Sequence, residues 1–290
     1  MTPYTELSEQ NTGMTISKLI RCVSDAVGGS YDGIVITHGT DTLPYSAAAL
    51  SYALGNDTIP VCFVSSNYPI TDDRANGVDN LHGAVRLIED AASCSEVDTY
   101  KGVFVSYKNH DGIIYIHRAS RLLETQAFSD EYYSTKDMYY GKIADNSFVK
   151  NPDYRELKDK LKPLGGVELS DVCESIGRYH LYPGIKLEAP SEKAGIRCVL
   201  LEGYHSGTLN TKLAEYQSFY ENMYERGIPV YLTGIKKGIS YESTSLYQKL
   251  HIEPLYDISP VAAYMKLWML MSAGRQWARD ILNLPLGGDM

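Results

Sequence analysis

The most constraining feature of this sequence is a repeated alternation of short apolar runs with longer helix-patterned segments. "GIVIT" (33–37) is followed by the apolar run Leu43 to Leu54, "IPVCFVSS" (59–66) by "DNLHGAVRLIEDAAS" (79–93), and "KGVFVSYK" (101–108) completes the series. Strands rich in Val and Ile that alternate with helices predict a parallel α/β sheet, doubly wound, with both faces covered. Ahead of the first strand, Ile16, Leu19, Ile20, Val23 and Val27 recur at helical spacing, and Gly28 and Gly29 end that helix. "DGIIYIH" is expected to fold back on the 101–108 strand as a hairpin around Asn109 to Gly112.

After Ser129 the rhythm weakens, and residues 130–171 read as an irregular excursion rich in Tyr, Asp, Lys, Gly and Pro. It resumes with "SIGRYHLYPG" and "IRCVLLEGY" as strands, "TKLAEYQSFYENMYERG" as a helix ending at Gly227, "IPVYLTG" as a strand and "SPVAAYMKLWMLMSAG" as a closing helix. The expectation is two α/β domains: a larger N-terminal one over 1–145, a linker over 146–171 and a smaller C-terminal one over 172–290.

Composition narrows the function classes. A formal net charge of −9 with pI near 5.3 argues against a surface for nucleic acid or anionic membrane. No apolar run has membrane-spanning length, and the polar N-terminus lacks a signal segment, so a cytoplasmic protein is expected. Cys22, Cys62, Cys94, Cys173 and Cys198 have no metal-ligand or CxxC spacing, and the seven histidines form no HxxxH group. A zinc site built by the protein is therefore not expected.

The chemistry concentrates in "THGTDTLP". A polar turn at the carboxyl end of a parallel strand lies where open α/β sheets bind ligands. Gly39 permits a tight turn or close approach, Asp41 or Thr42 is suited to cap the next helix, and Pro44 suits its first turn. A hydroxyl beside a carboxylate at a helix N-terminus fits nucleophilic or acid/base work, and a simple capped turn fits the same residues.

"GIVITHGTDTLPYSAAALSYAL" resembles the second active-site motif of the bacterial-type L-asparaginase family, which includes glutaminase-asparaginases and a subunit of an archaeal tRNA-dependent amidotransferase. "LSEQNTGMTISKLI", "IPVCFVSSNYPITDDRANGVDNLHGAV", "LEGYHSGTLN" and "LYDISPVAAYMKL" resemble further family segments in the same order. The resemblance implies an amidohydrolase working through an acyl-threonine intermediate on asparagine or a related amide, without cofactor, as a homodimer or homotetramer. It gives Thr40 and Asp41 the site hydroxyl and carboxylate, Gly39 backbone near substrate, Ser8 (with Glu9 beside it) the substrate α-carboxylate, and Ser66 a carbonyl near the leaving amide. His38 is expected to fix the turn, and His205 to be a loop residue or to approach a neighbouring subunit's site.

Two departures stand out. The family pattern has a strand ending in TGGTI before the Ser8 loop, whereas seven residues precede Ser8 here. "TGMTIS" (12–17) is rejected as its equivalent because it follows a polar stretch and runs into a helix. The first sheet is thus expected to lack that strand, leaving an unpaired edge or groove. In addition, "HRASRLLE" puts Arg121 where the family has a lysine, with Arg118 the competing alignment. Arg121 is expected to hold Asp41 or to stabilise an oxyanion, since an arginine does not act as a neutral base. The alternative reading is a non-catalytic homologue that binds an amino acid or a partner subunit.

Overall fold

The computed structural model describes residues 1–290 apart from positions 3, 95 and 96. The chain forms two compact units: Met1–Asp171 with Leu284–Met290, and Val172–Asn283. In the first unit, α1 (Gly13–Val27) precedes β1 (Ile34–Thr37), α2 (Leu43–Leu54), β2 (Val61–Val64), α3 (Gly77–Ser93), β3 (Val103–Lys108), β4 (Ile114–Arg118), β5 (Gly141–Ala144) and β6 (Ser147–Lys150). The strands form one sheet in the order β1-β2-β3-β4-β5-β6. β1, β2 and β3 are parallel, and β3 through β6 are antiparallel.

Strand alternation sets the two faces. Cys62, Val64, Phe104 and Ile116 pack against Ala84 and Leu87 of α3. Val61, Phe63, Val103 and Val105 point the other way and are equally buried. α2, apolar all round and in contact with β3, covers that second face.

Residues 146–171, expected as a linker, fall within the first unit. β6 lies in this stretch, Leu164 N–H donates to Tyr52 O (2.8 Å) and Leu169 N–H to Ser17 Oγ (2.8 Å). The C-terminal residues also return here. Ser120 Oγ donates to Gly287 O (2.6 Å), and Tyr52 OH to Asp289 Oδ2 (3.2 Å).

The second unit holds four parallel strands, β7 (Ile176–His180), β8 (Cys198–Glu202), β9 (Val230–Ile235) and β10 (Ile252–Tyr256), adjacent in chain order. α4 (Ala214–Glu225) follows β8, and α5 (Pro260–Ser272) follows β10. Its core joins Val199, Leu201, Phe219, Met223, Val230 and Leu232. No helix among the described residues is long and apolar enough to cross a membrane.

One buried group predicts a pH dependence. His117 on β4 is 2% exposed, its Nδ1 meets Ser134 Oγ at 2.8 Å, and its Nε2 has no hydrogen-bond partner among the described residues. Burial lowers its pKa to about 3. The imidazole is therefore neutral in the fold while the unfolded chain binds a proton near pH 6.5. Stability is fully present above that pH and falls as pH drops toward 3, by roughly 1.4 kcal/mol per pH unit. A His117→Phe variant should lose this slope between pH 6.5 and 5, measured as urea midpoints for the first unit; an unchanged acid limb would contradict it.

Candidate active site

The parallel register pairs Thr37 with Val64, and His38 N–H donates to Val64 O at 2.9 Å. The turn 38–42 and the loop from Ser65 to Asn76 thus leave neighbouring strands at one sheet edge. The 3-10 turn Ser8–Gln10 lies against the first of these turns. Ser8 is only 6% exposed, so it is not a solvated loop serine. Its hydroxyl donates to Asp41 Oδ2 (3.1 Å) and accepts from Asp41 N–H (3.3 Å). Gly39 makes this approach possible: a Cβ there would lie 2.5 Å from Ser8 Oγ and 2.7 Å from Ser8 Cβ.

Behind the pair runs a hydrogen-bond chain. Thr42 Oγ1 donates to Ser8 O (2.8 Å) and accepts from Asn11 Nδ2 (2.9 Å), which also meets His38 Nε2 at 3.2 Å. His38 Nδ1 faces Gly39 O at 2.7 Å, and Nε2 lies 2.9 Å from Ser46 Oγ. A carbonyl oxygen can only accept, so the Nδ1 facing Gly39 O bears the proton and Nε2 is the acceptor. Burial lowers the His38 pKa against the opposing pull of the Gly39 carbonyl. His38 is thus held as a neutral brace of the turn. Thr42 occupies the N-cap position of α2, yet its side chain makes no capping bond because it is committed to Ser8.

Thr40 is half-buried, and its hydroxyl has no hydrogen-bond partner among the described residues. Its carbonyl accepts from Tyr132 OH at 2.6 Å. Tyr132 is pinned by Asn109, which donates to its carbonyl (2.9 Å) and accepts from its N–H (3.1 Å), and it meets Tyr107 edge-on. Burial, then Tyr107 and the Asp41 carboxylate, push its phenol pKa well up, so it stays a donor.

Ser66 lies in the neighbouring loop, its hydroxyl donating to Tyr68 O (2.6 Å). Asn80 fastens that loop by donating to Ser65 O (2.8 Å) while accepting from Lys108 N–H (2.7 Å). Glu9 is exposed and has no hydrogen bond or ion pair among the described residues.

Arg121 is placed differently from the expectation. It shares no ion pair with Asp41 among the described residues. Its Nε donates to Gly288 O (2.8 Å), and its guanidinium lies 4.8 Å from the Tyr154 ring centre. The reason is topological: β4 runs antiparallel to β3, pairing Arg118 with Phe104, so it ends at the edge opposite the 38–42 turn. Arg118 is buried there against Glu156.

Sequence reasoning missed Asn11, Ser46 and Tyr132. Asn11 sits three residues from Ser8 in a segment whose family resemblance is plain, whereas Tyr132 lies in a tyrosine-rich stretch without periodicity.

These features define a two-unit α/β protein with a small polar cradle at the carboxyl edge of its parallel strands. Residues 3–153 match the family described as "Asparaginase, N-terminal". An L-asparaginase of Thermococcus kodakarensis is 32% identical over 271 residues, covering 90% of this chain and 76% of that protein. The chain belongs to the asparaginase family. A glutamyl-tRNA(Gln) amidotransferase subunit of the same organism is 28% identical over 267 residues, covering 87% of this chain and 57% of that protein. An L-asparaginase of Dirofilaria immitis is 25% identical over 248 residues, covering 83% of this chain and 40% of that protein. The chain thus spans less than two thirds of the length of several such relatives. Among solved structures, the thermostable L-asparaginase from Thermococcus kodakarensis shares the fold with a TM-score of 0.75 at 21% identity, covering 98% of this chain and 83% of that one.

Proposed function

We propose that this chain is an asparaginase-type amidohydrolase that converts L-asparagine and water to L-aspartate and ammonia. The observation that carries the reading is the Ser8–Asp41 pair held against Gly39 in a member of this family. Asp41 takes the substrate's α-ammonium, and Ser8 turns its hydroxyl to the α-carboxylate. Thr40 presents its hydroxyl to the carboxamide, its backbone fixed by Tyr132. The Ser66 backbone lies on the leaving-amide side, and Gly39 lets substrate approach the main chain. Glu9 borders the entrance, and Arg121 supports the 119–124 stretch rather than touching substrate. The protein acts as a homodimer or homotetramer in the cytoplasm.

A second reading, an amino-acid-binding homologue without turnover, is favoured by one observation. Asp41 has no cationic partner among the described residues, and no base lies within hydrogen-bond reach of the Thr40 hydroxyl. Ammonia release from millimolar L-asparagine, beside calorimetry with L-aspartate, separates the two. Release of ammonia supports hydrolysis, heat with aspartate but no ammonia supports the second reading, and neither signal rejects both.

The cradle also predicts a pair of matched defects. Gly39→Ala drives a methyl into Ser8, and Ser8→Ala removes both hydroxyl bonds to Asp41. Each should weaken aspartate binding by about tenfold, the effect of losing roughly one charge-assisted hydrogen bond. The double variant should be little worse than either single one, because both act on one contact. Additive losses would show that Gly39 acts independently of Ser8.

A further inference from the structure

The peptide group between Thr40 and Asp41 is held from both sides. Its carbonyl accepts from Tyr132 OH at 2.6 Å, and its N–H donates to Ser8 Oγ at 3.3 Å. A trans peptide is planar with its C=O and N–H opposed, so one rotation of the plane breaks both bonds together. The carbonyl's other contact, Leu43 N–H at 3.4 Å, is long for a hydrogen bond. The phenol is therefore the stronger hold on that oxygen.

Tyr132 does not follow such a rotation. It is 1% exposed, and its ring meets Tyr107 edge-on with centres 4.7 Å apart. Its main-chain N–H and C=O are both taken by the Asn109 side chain. Asn109 in turn belongs to the turn between β3 and β4, where its N–H donates to Ile113 O (3.2 Å) and its carbonyl accepts from Gly112 N–H (3.0 Å). The contacts thus run from a sheet hairpin, through Asn109 and Tyr132, to the 40–41 peptide and Ser8. All of these residues belong to the first unit. A side chain so deeply buried touches no substrate and acts only through what it holds.

We infer that Tyr132 is a positioning residue that sets the Thr40 hydroxyl and the Ser8–Asp41 pair together, through the one peptide group they share. Removing its phenol O–H frees that peptide at the carbonyl end and loosens the bond at the N–H end. The 131–134 segment itself stays in place, because Asn109 grips the main chain of Tyr132 and not its ring. The consequence for turnover rests on the amidohydrolase reading, whereas the consequence for the peptide does not.

The test follows amide hydrogen exchange of Asp41 in the full chain without ligand. Tyr132→Phe should speed it by about tenfold, the effect of one buried hydrogen bond. The amides of Asn109 and Tyr132, which report the hairpin and the clamp, should keep their wild-type rates and so show that the variant is folded. Tyr133→Phe removes the neighbouring phenol, whose residue is 49% exposed, and should leave Asp41 unchanged. In a Ser8→Ala background Asp41 N–H has already lost its acceptor, so Tyr132→Phe should add little there. With L-asparagine, Tyr132→Phe should lower kcat by about tenfold and raise KM by about threefold, whereas a mere loss of folded protein leaves KM unchanged. An Asp41 amide that keeps its wild-type rate in Tyr132→Phe overturns the inference. Equal acceleration with and without Ser8 overturns it too, as does a fall in kcat at constant KM. A wild-type chain that releases no ammonia defeats the hydrolytic reading, and the exchange results then decide the inference by themselves.

Discussion

Thr40→Ala should lower ammonia release from L-asparagine by about 10²- to 10⁴-fold, the range for removing a group that takes part in proton transfer or attack. The structure allows this variant to be read cleanly. The Thr40 hydroxyl has no hydrogen-bond partner among the described residues, and what holds the residue is its carbonyl, which Tyr132 grips. Truncating the side chain therefore removes chemistry without removing a strut, and the fold should be unchanged. Thr42, two residues on, behaves oppositely. Its hydroxyl bridges Ser8 O and Asn11 Nδ2, so Thr42→Ala should disturb the cradle and raise KM more than it lowers kcat. Thr40→Ser, which keeps the hydroxyl, should retain most of the rate. If Thr40→Ala and Thr40→Ser lose activity equally, or if Thr40→Ala stays within threefold of wild type, Thr40 is not the reacting hydroxyl.

Legibility in the sequence followed the physics of each element. β2, β3 and α2 could be read because burial on both faces forces continuous apolar runs, and β1 because its Ile-Val-Ile run is apolar although Ile36 alone of its residues is buried. The β5–β6 hairpin was hidden because its strands are short and its turn is Asp145-Asn146, both left-handed, rather than the stronger Asn-Gly signal. β10 was hidden by Pro254, which argues against a central strand but is tolerated here because β10, among the described residues, pairs with β9 alone at the sheet edge.

The site divides the same way. Ser8, Gly39, Thr40 and Asp41 lie in segments whose order and residue types point to one another. Tyr132 is held at the turn by the Asn109 clamp, a contact across 23 positions that no local pattern encodes. Arg121 shows the converse. Alignment by residue type gave it a place beside Asp41, while the antiparallel step from β3 to β4 turns the segment toward the C-terminal residues.

That opposite edge bears the largest stability effect. Arg118 is 2% exposed, its Nε and Nη2 donate to the two oxygens of Glu156 (2.8 and 2.7 Å), and its Nη1 donates to Lys101 O (2.7 Å). The guanidinium also lies 4.6 Å from the ring centres of both Phe104 and Tyr140. Burial alone would raise the Glu156 pKa, but Arg118 beside it holds the carboxyl below its ordinary value. Arg118→Met should therefore cost the first unit about 3–5 kcal/mol, because it strands a carboxylate among tyrosines. Adding Glu156→Gln should recover much of that loss, since removing both charges removes the uncompensated one. Both tryptophans, Trp268 and Trp277, belong to the second unit, so the measurement is amide exchange across β3 and β4 rather than tryptophan fluorescence. The pair's pH dependence has a defined sign. With the folded carboxyl pKa depressed, its stabilisation is complete above the unfolded value of about 4.3 and is lost as pH falls through the lower folded value. Arg118→Met should thus differ most from wild type near neutral pH and converge on it in acid. A gap that persists below pH 3 would assign the loss to packing against Phe104 and Tyr140 instead of to the charge pair.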